Sequence, residues 1–218
     1  MYKALIWKEY RETRLSLAAV ILSLCTILFL TLFIFKEPRY SLLITAYLAE
    51  FATLPMMLYT LMAGAEAFAS EYQSKTFDFL VSRTITRSRI WLFKLVFRVS
   101  TLVIPVIILL FISKPLAGPI YPFSQFQLML IVTAEILFLF SASFFFSIIF
   151  RRPFKAGITA SIFCLGFGML FFYFFEMFFD FTIVENYLAF AIGCAILSIL
   201  ILGASFVIFT KGKFSYGM

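Results

Sequence analysis

Residues 126–150 read FQLMLIVTAEILFLFSASFFFSIIF and run directly into Arg151, Arg152 and Pro153. Glu135 is the one charged residue in the run. About 20 mostly apolar residues, rising about 1.5 Å each, cross a hydrocarbon core of about 30 Å. This stretch is therefore long enough to span a bilayer as a helix, and the basic pair with its proline ends it with charge and turn chemistry. Working outward, comparable apolar runs occupy 15–35, 42–65, 90–113, 157–175 and 187–210. Between them lie Lys36-Glu37-Pro38-Arg39 and the segment from Lys114-Pro115 through Gly118-Pro119 to Pro122.

Composition supports the same reading. The 218 residues are 63% hydrophobic, 20% aromatic and 13% charged, whereas ordinary soluble domains are about 45–50% apolar and about 25% charged. A soluble enzyme, a disordered tail and a collagen-like fibre are excluded, and the 32 phenylalanines are expected to face lipid. Histidine is absent, which removes a His general base, a His–zinc site and an axial haem His. Cys25, Cys164 and Cys194 stand apart in apolar runs, the pattern of small buried hydrophobes rather than of a disulfide or metal site. The expected fold is an all-α membrane protein: one domain, 1–218, of six transmembrane helices.

Charge placement orients it. Of the 18 basic residues, all but Lys36, Arg39 and Lys114 fall on one set of connecting segments and ends. The opposite set carries those three with Glu37, Glu176, Asp180 and Glu185. The positive-inside rule then places both termini in the cytoplasm, as an even number of spans requires, and the net charge of +7 reflects membrane orientation rather than nucleic-acid binding. The first run is longer than a signal-peptide core, and no small-residue cleavage site follows it before Lys36. Residues 1–14 precede it; as a helix they put Lys3, Trp7, Tyr10 and Arg14 near one stripe and space Lys8 and Glu12 for an i,i+4 pair. Trp7, Lys8, Tyr10 and Arg11 beside Leu5 and Ile6 suit a helix in the headgroup layer; an extension of the first span into water is the other reading.

The cytoplasmic stretch 66–89 is longer than the other connections and becomes basic toward its end. Phe77, Phe79, Leu80 and Val81 form an apolar cluster where water would otherwise be preferred. Such a cluster rimmed by charge marks a docking surface or a loop helix that packs on its own span ends.

These residues resemble a known family. Ala69-Ser70-Glu71, then Lys75-Thr76-Phe77-Asp78-Phe79-Leu80-Val81-Ser82-Arg83, then Arg87-Ser88-Arg89-Ile90 and Lys94 are similar to the loop of type-2 ABC exporter permeases, with Thr84 where that family usually has Pro. The resemblance implies a membrane subunit that pairs with a second permease chain, identical or related, and with ABC ATPase subunits. It implies a coupling helix near 76–82 seated in an ATPase cleft, with Glu71, Thr76, Phe77, Asp78, Phe79, Leu80, Arg83 and Arg87 at that junction. The interfacial helix, through Trp7, Lys8, Tyr10 and Arg11, would be a second contact. The sequence has no GxxxxGK followed by Ser or Thr, so no phosphate cradle is expected here. No catalytic residue, metal or cofactor is assigned to this chain; ATP and Mg would belong to the partner ATPase.

Glu50 and Glu135 lie at similar depth in the second and fourth runs. A carboxylate there costs about 3 kcal/mol or more and usually faces a bundle interior or wet cavity. The two are translocation candidates, or one is protonated and bonds across a dimer, or both reach the interface and are solvated. The function that follows is the permease subunit of an exporter in the cell membrane, moving an amphiphilic or hydrophobic cargo. A substrate-binding membrane subunit of an energy-coupling-factor importer is the alternative, and an intramembrane enzyme using the two carboxylates a third.

Overall fold

The computed structural model describes residues 7–11, 13, 14, 18, 21, 25, 41–74, 86–113, 125–178 and 183–211; within the long helices, side chains are described for 56–74, 86–103, 130–171, 173 and 188–211. Among the described residues all regular structure is helical. The long helices are α1 (Ser41–Gln73), α2 (Arg87–Ser113), α3 (Gln125–Ile149), α4 (Pro153–Phe178) and α5 (Ile183–Lys211). The described residues nearer the N-terminus are helical too.

Local chemistry sets the boundaries. Thr86 occupies the position before α2, its carbonyl accepting from the Ile90 N–H at 3.2 Å. Pro153 opens α4, where its missing N–H has no intrahelical acceptor to lose, and the Ala156 N–H donates to the Arg152 carbonyl at 3.2 Å. α1 and α2 continue as unbroken helices through Pro55 and Pro105. Glu176 lies within α4 and Glu185 within α5, so most of the acidic stretch between the last two apolar runs belongs to long helices.

Among the described residues, Leu130–Ile149, Pro153–Phe171 and Leu188–Lys211 are long and apolar enough to cross a membrane. The share of each window buried inside the protein is 61%, 17% and 22% respectively. α3 is therefore the central helix, and α4 and α5 present most of their surface outward. Met169, Leu170 and Ile199 are among their exposed side chains, a distribution suited to lipid.

Two apolar clusters surround α3. The first joins Met56, Ala63 and Phe68 of α1 with Ile90 and Trp91 of α2, Phe140 and Phe144 of α3 and Phe209 of α5. The Phe68 ring lies 5.2 Å from Phe144 and 4.5 Å from Phe209, and Trp91 lies 5.8 Å from Phe144. The second joins Ala134, Phe138 and Ala142 with Ala160, Cys164, Ala191 and Cys194. Phe68, Phe140, Phe144 and Phe209 are fully buried, so part of the phenylalanine content expected to face lipid instead builds the interior. Edge-to-face and tilted rings gain quadrupole attraction that lipid tails do not offer. Cys164 and Cys194 are buried as expected, while Cys25 is exposed. Buried hydroxyls bond back to their own helix, as Ser147 Oγ does to the Phe144 carbonyl at 2.6 Å and Ser198 Oγ to the Cys194 carbonyl at 2.6 Å.

α1 and α3 meet closely at Gly64. A Cβ there would overlap Ser143 Oγ and come within 2.9 Å of the Phe140 carbonyl oxygen and the Phe144 nitrogen, and two of those obstacles are backbone. A Cβ at Gly166 or Gly168 would meet nothing within 4 Å; both lie on the outward part of α4. Gly64→Ala is expected to destabilise the bundle by about 1–3 kcal/mol, read as a lower Tm in detergent, while Gly166→Ala leaves Tm unchanged.

Candidate functional site

Among the described residues, five ionisable side chains from three segments converge beside the first cluster. Lys94, on α2, donates to Glu9 Oε1 at 2.6 Å and to Glu71 Oε1 at 3.0 Å. Arg98, one turn further along α2, reaches Glu9 Oε2 at 3.0 Å through Nε and through its terminal nitrogen, and donates to the Ala63 carbonyl at 3.4 Å. Lys8 donates to Glu71 Oε1 at 2.6 Å. The Lys94 ammonium also stands 5.5 Å from the centre of the Phe68 ring, within cation–π range.

Glu9, Lys94, Glu71 and Arg98 are each at most 1% exposed, whereas the Lys8 side chain is 28% exposed. The five carry one positive charge in excess, and Lys8 is the member that reaches solvent. Burial by itself would raise the Glu9 carboxyl, but Lys94 first and then Arg98 outweigh it, and the pKa lies below the usual carboxylate value. The Glu71 carboxylate opposes that lowering.

Helical spacing explains the convergence. Lys94 and Arg98 are four residues apart and share one face of α2. Near the N-terminus Glu9 and Thr13 are buried, with the Thr13 hydroxyl bonded to the Glu9 carbonyl at 2.8 Å. Trp7, Tyr10, Arg11 and Arg14 are exposed, and the Trp7 and Tyr10 rings lie 5.9 Å apart. The expected partner of Lys8, Glu12, lies outside the described residues; the Lys8 ammonium bonds Glu71, and a buried carboxylate needs such compensation.

Of the residues singled out from sequence, Lys8 and Glu71 are thus brought together, and Arg87 is half-buried at the start of α2. Thr76, Phe77, Asp78, Phe79, Leu80 and Arg83 lie outside the described residues. Glu50 is helical within α1, its side chain outside those described, and Glu135 is half-buried on α3 beside Ala134 of the second cluster. Among the described residues, Glu135 is not part of the ion network. Glu9 and Arg98 are members that sequence reasoning passed over. The available signal was Lys94 with Arg98 one turn apart inside an apolar run, a pairing that calls for buried acids. Among the described residues no group of three Cys, Asp or Glu side chains could hold a metal, and the network offers ion pairing rather than a nucleophile.

The ends of the long helices gather around this network. Trp91, near the start of α2, donates its indole N–H to Ser205 of α5 at 3.1 Å, and Gly157 of α4 faces Ala65 of α1. One end of the bundle therefore holds the C-terminal parts of α1, α3 and α5, the N-terminal parts of α2 and α4, and the N-terminal helical residues. No protein family, characterised relative or solved structure matches the chain, so the permease resemblance rests on the residues quoted for it.

Glu9→Gln leaves Lys94 and Arg98 without their shared anion, and is expected to cost about 3–5 kcal/mol. Trp7→Ala, at an exposed position, is expected to stay within about 0.5 kcal/mol of wild type. Because the Glu9 pKa is lowered by folding, its contribution is complete above the unfolded value of about 4.3 and is lost as pH falls through the lowered one. Tm in detergent should therefore hold from pH 7 to about 5 and drop below it, and the Glu9→Gln variant should lack the part of that drop due to Glu9.

Proposed function

We propose that this chain is the membrane-spanning permease subunit of a type-2 ATP-binding cassette exporter, moving an amphiphilic or hydrophobic cargo outward with ATP hydrolysed by a separate subunit. The observation that carries the reading is the buried network. It ties the N-terminal helical residues to Glu71 and Lys94, which flank the proposed coupling helix near 76–82 on its two sides in sequence. Motion in an attached ATPase would thereby be delivered to the N-terminal helix, α1 and α2 together. A ligand-driven transition needs contacts that differ between two states, and a segment anchored at both ends to rigid helices can transmit such a difference.

The finer architecture belongs to the same proposal: six spans, the runs 15–35, 42–65 and 90–113 joining the three apolar windows above. Lys8, Arg11, Arg14, Arg87, Arg89, Arg151, Arg152, Lys155 and Lys211 all lie in the parts gathered at one end of the bundle, and the positive-inside rule makes that end cytoplasmic. Both termini are then cytoplasmic, in the cell membrane, with a second permease chain completing the route. Glu50 and Glu135 would belong to the opposite half.

Copurification from native membranes in mild detergent tests the proposal. An ABC ATPase should accompany the wild-type chain and be lost from a double variant, Asp78→Arg with Phe79→Glu, that still folds. A stable wild-type complex without an ATPase would falsify the exporter reading.

A further inference from the structure

A groove of about 600 Å³ opens between α1 and α4, away from the ion network. Leu58, Leu61 and Met62 of α1 face Ile158 of α4 across its apolar part. Glu66 and Arg152 line it as well, and among the described residues no ion pair joins them. Arg152 lies in the three-residue connection between α3 and α4, two helices apolar enough to cross a bilayer. A connection that short between two spans lies at headgroup level, so the polar end of the groove meets the headgroups and its apolar part descends among acyl chains.

Charge decides the occupant. A purely anionic amphiphile would satisfy Arg152 but meet the Glu66 carboxylate, and a purely cationic one would do the reverse. A headgroup carrying both charges satisfies both. Glu66 accepts hydrogen bonds and cannot donate them when ionised, which favours an ammonium with N–H groups. Quaternary ammonium is typically held by aromatic cages, whereas among the described residues Phe154 is the one aromatic lining the groove. The volume lies within the range of about 300–1,000 Å³ usual for small-ligand sites, enough for a headgroup and the upper part of one chain, with the remainder in the bilayer.

We propose that this groove binds an aminophospholipid of the phosphatidylethanolamine type, its phosphate on Arg152, its ammonium on Glu66 and one acyl chain along Leu58, Met62 and Ile158. The site requires that the helices cross a bilayer and is independent of the transport reading.

Native mass spectrometry of the delipidated full chain in neutral detergent tests it, with phosphatidylethanolamine, phosphatidylcholine and phosphatidylglycerol of identical chains in competition. Wild type should retain phosphatidylethanolamine about tenfold over the other two, the size of one charge-assisted hydrogen bond. Glu66→Gln should abolish that preference, and Arg152→Gln should weaken all three lipids about tenfold. Glu66→Arg should switch the preference to phosphatidylglycerol, a gain that a misfolded chain would not show. Equal retention of the three lipids by wild type overturns the proposal, as does a preference that survives Glu66→Gln. Displacement by soluble glycerophosphoethanolamine as effective as by the whole lipid overturns the acyl-chain part, because the headgroup would then suffice. A wild-type chain that takes up no lipid because a second copy covers the groove overturns it too.

Discussion

Burying charge in an apolar bundle governs the cytoplasm-proximal half of the proposed topology. Lys94 and Arg98 sit on α2 next to the aromatic cluster, where removal from water costs several kcal/mol per ion. That cost is offset only if anions arrive from elsewhere in the chain. Glu71 arrives from the end of α1 and Glu9 from the N-terminal helical residues, so the position of each segment depends on the others. Apolar packing is nondirectional and would tolerate a helix sliding or rotating; hydrogen-bonded ion pairs at 2.6–3.0 Å do not. The network thus fixes register where side-chain burial alone sets only proximity.

The aromatic core beneath it has a complementary role. Phe68 contacts both the Lys94 charge and the rings of Phe144 and Phe209, joining the polar and apolar parts of the end. Gly64 lets α1 approach the backbone of α3 one turn before Phe68. Close backbone approach and ring packing supply dispersion contacts, which matter more inside a bilayer because lipid tails weaken any hydrophobic drive for helices to associate. The outward faces of α4 and α5 need no such matching and are lined by flexible aliphatic side chains such as Ile162, Leu165 and Ile199.

Glu71 and Lys94, which flank the proposed coupling helix in sequence, belong to the network, whereas Glu66 and Arg152 line the proposed lipid groove. Glu66 and Glu71 are five residues apart on α1, a separation that turns them well away from each other around a helix. The same stretch of α1 therefore serves an internal clasp with one carboxylate and the proposed lipid groove with another.

What the sequence determined by itself was the helical class, the approximate helix positions and the segregation of basic residues, because these follow from apolar run length, turn residues and charge counting along the chain. The apolar run at 126–150, for instance, appears as α3 with ends at Gln125 and Ile149. Only tertiary structure decided which phenylalanines are interior, that Gly64 rather than Gly166 is the close approach, and that Lys8 reaches Glu71, 63 residues away. Those outcomes depend on which faces meet, and hydropathy in so apolar a chain scarcely distinguishes one helix face from another. The same reason hid Glu9 and Arg98: each reads as a local charge in sequence and acquires its role only where three segments, up to 89 residues apart, share one dry site.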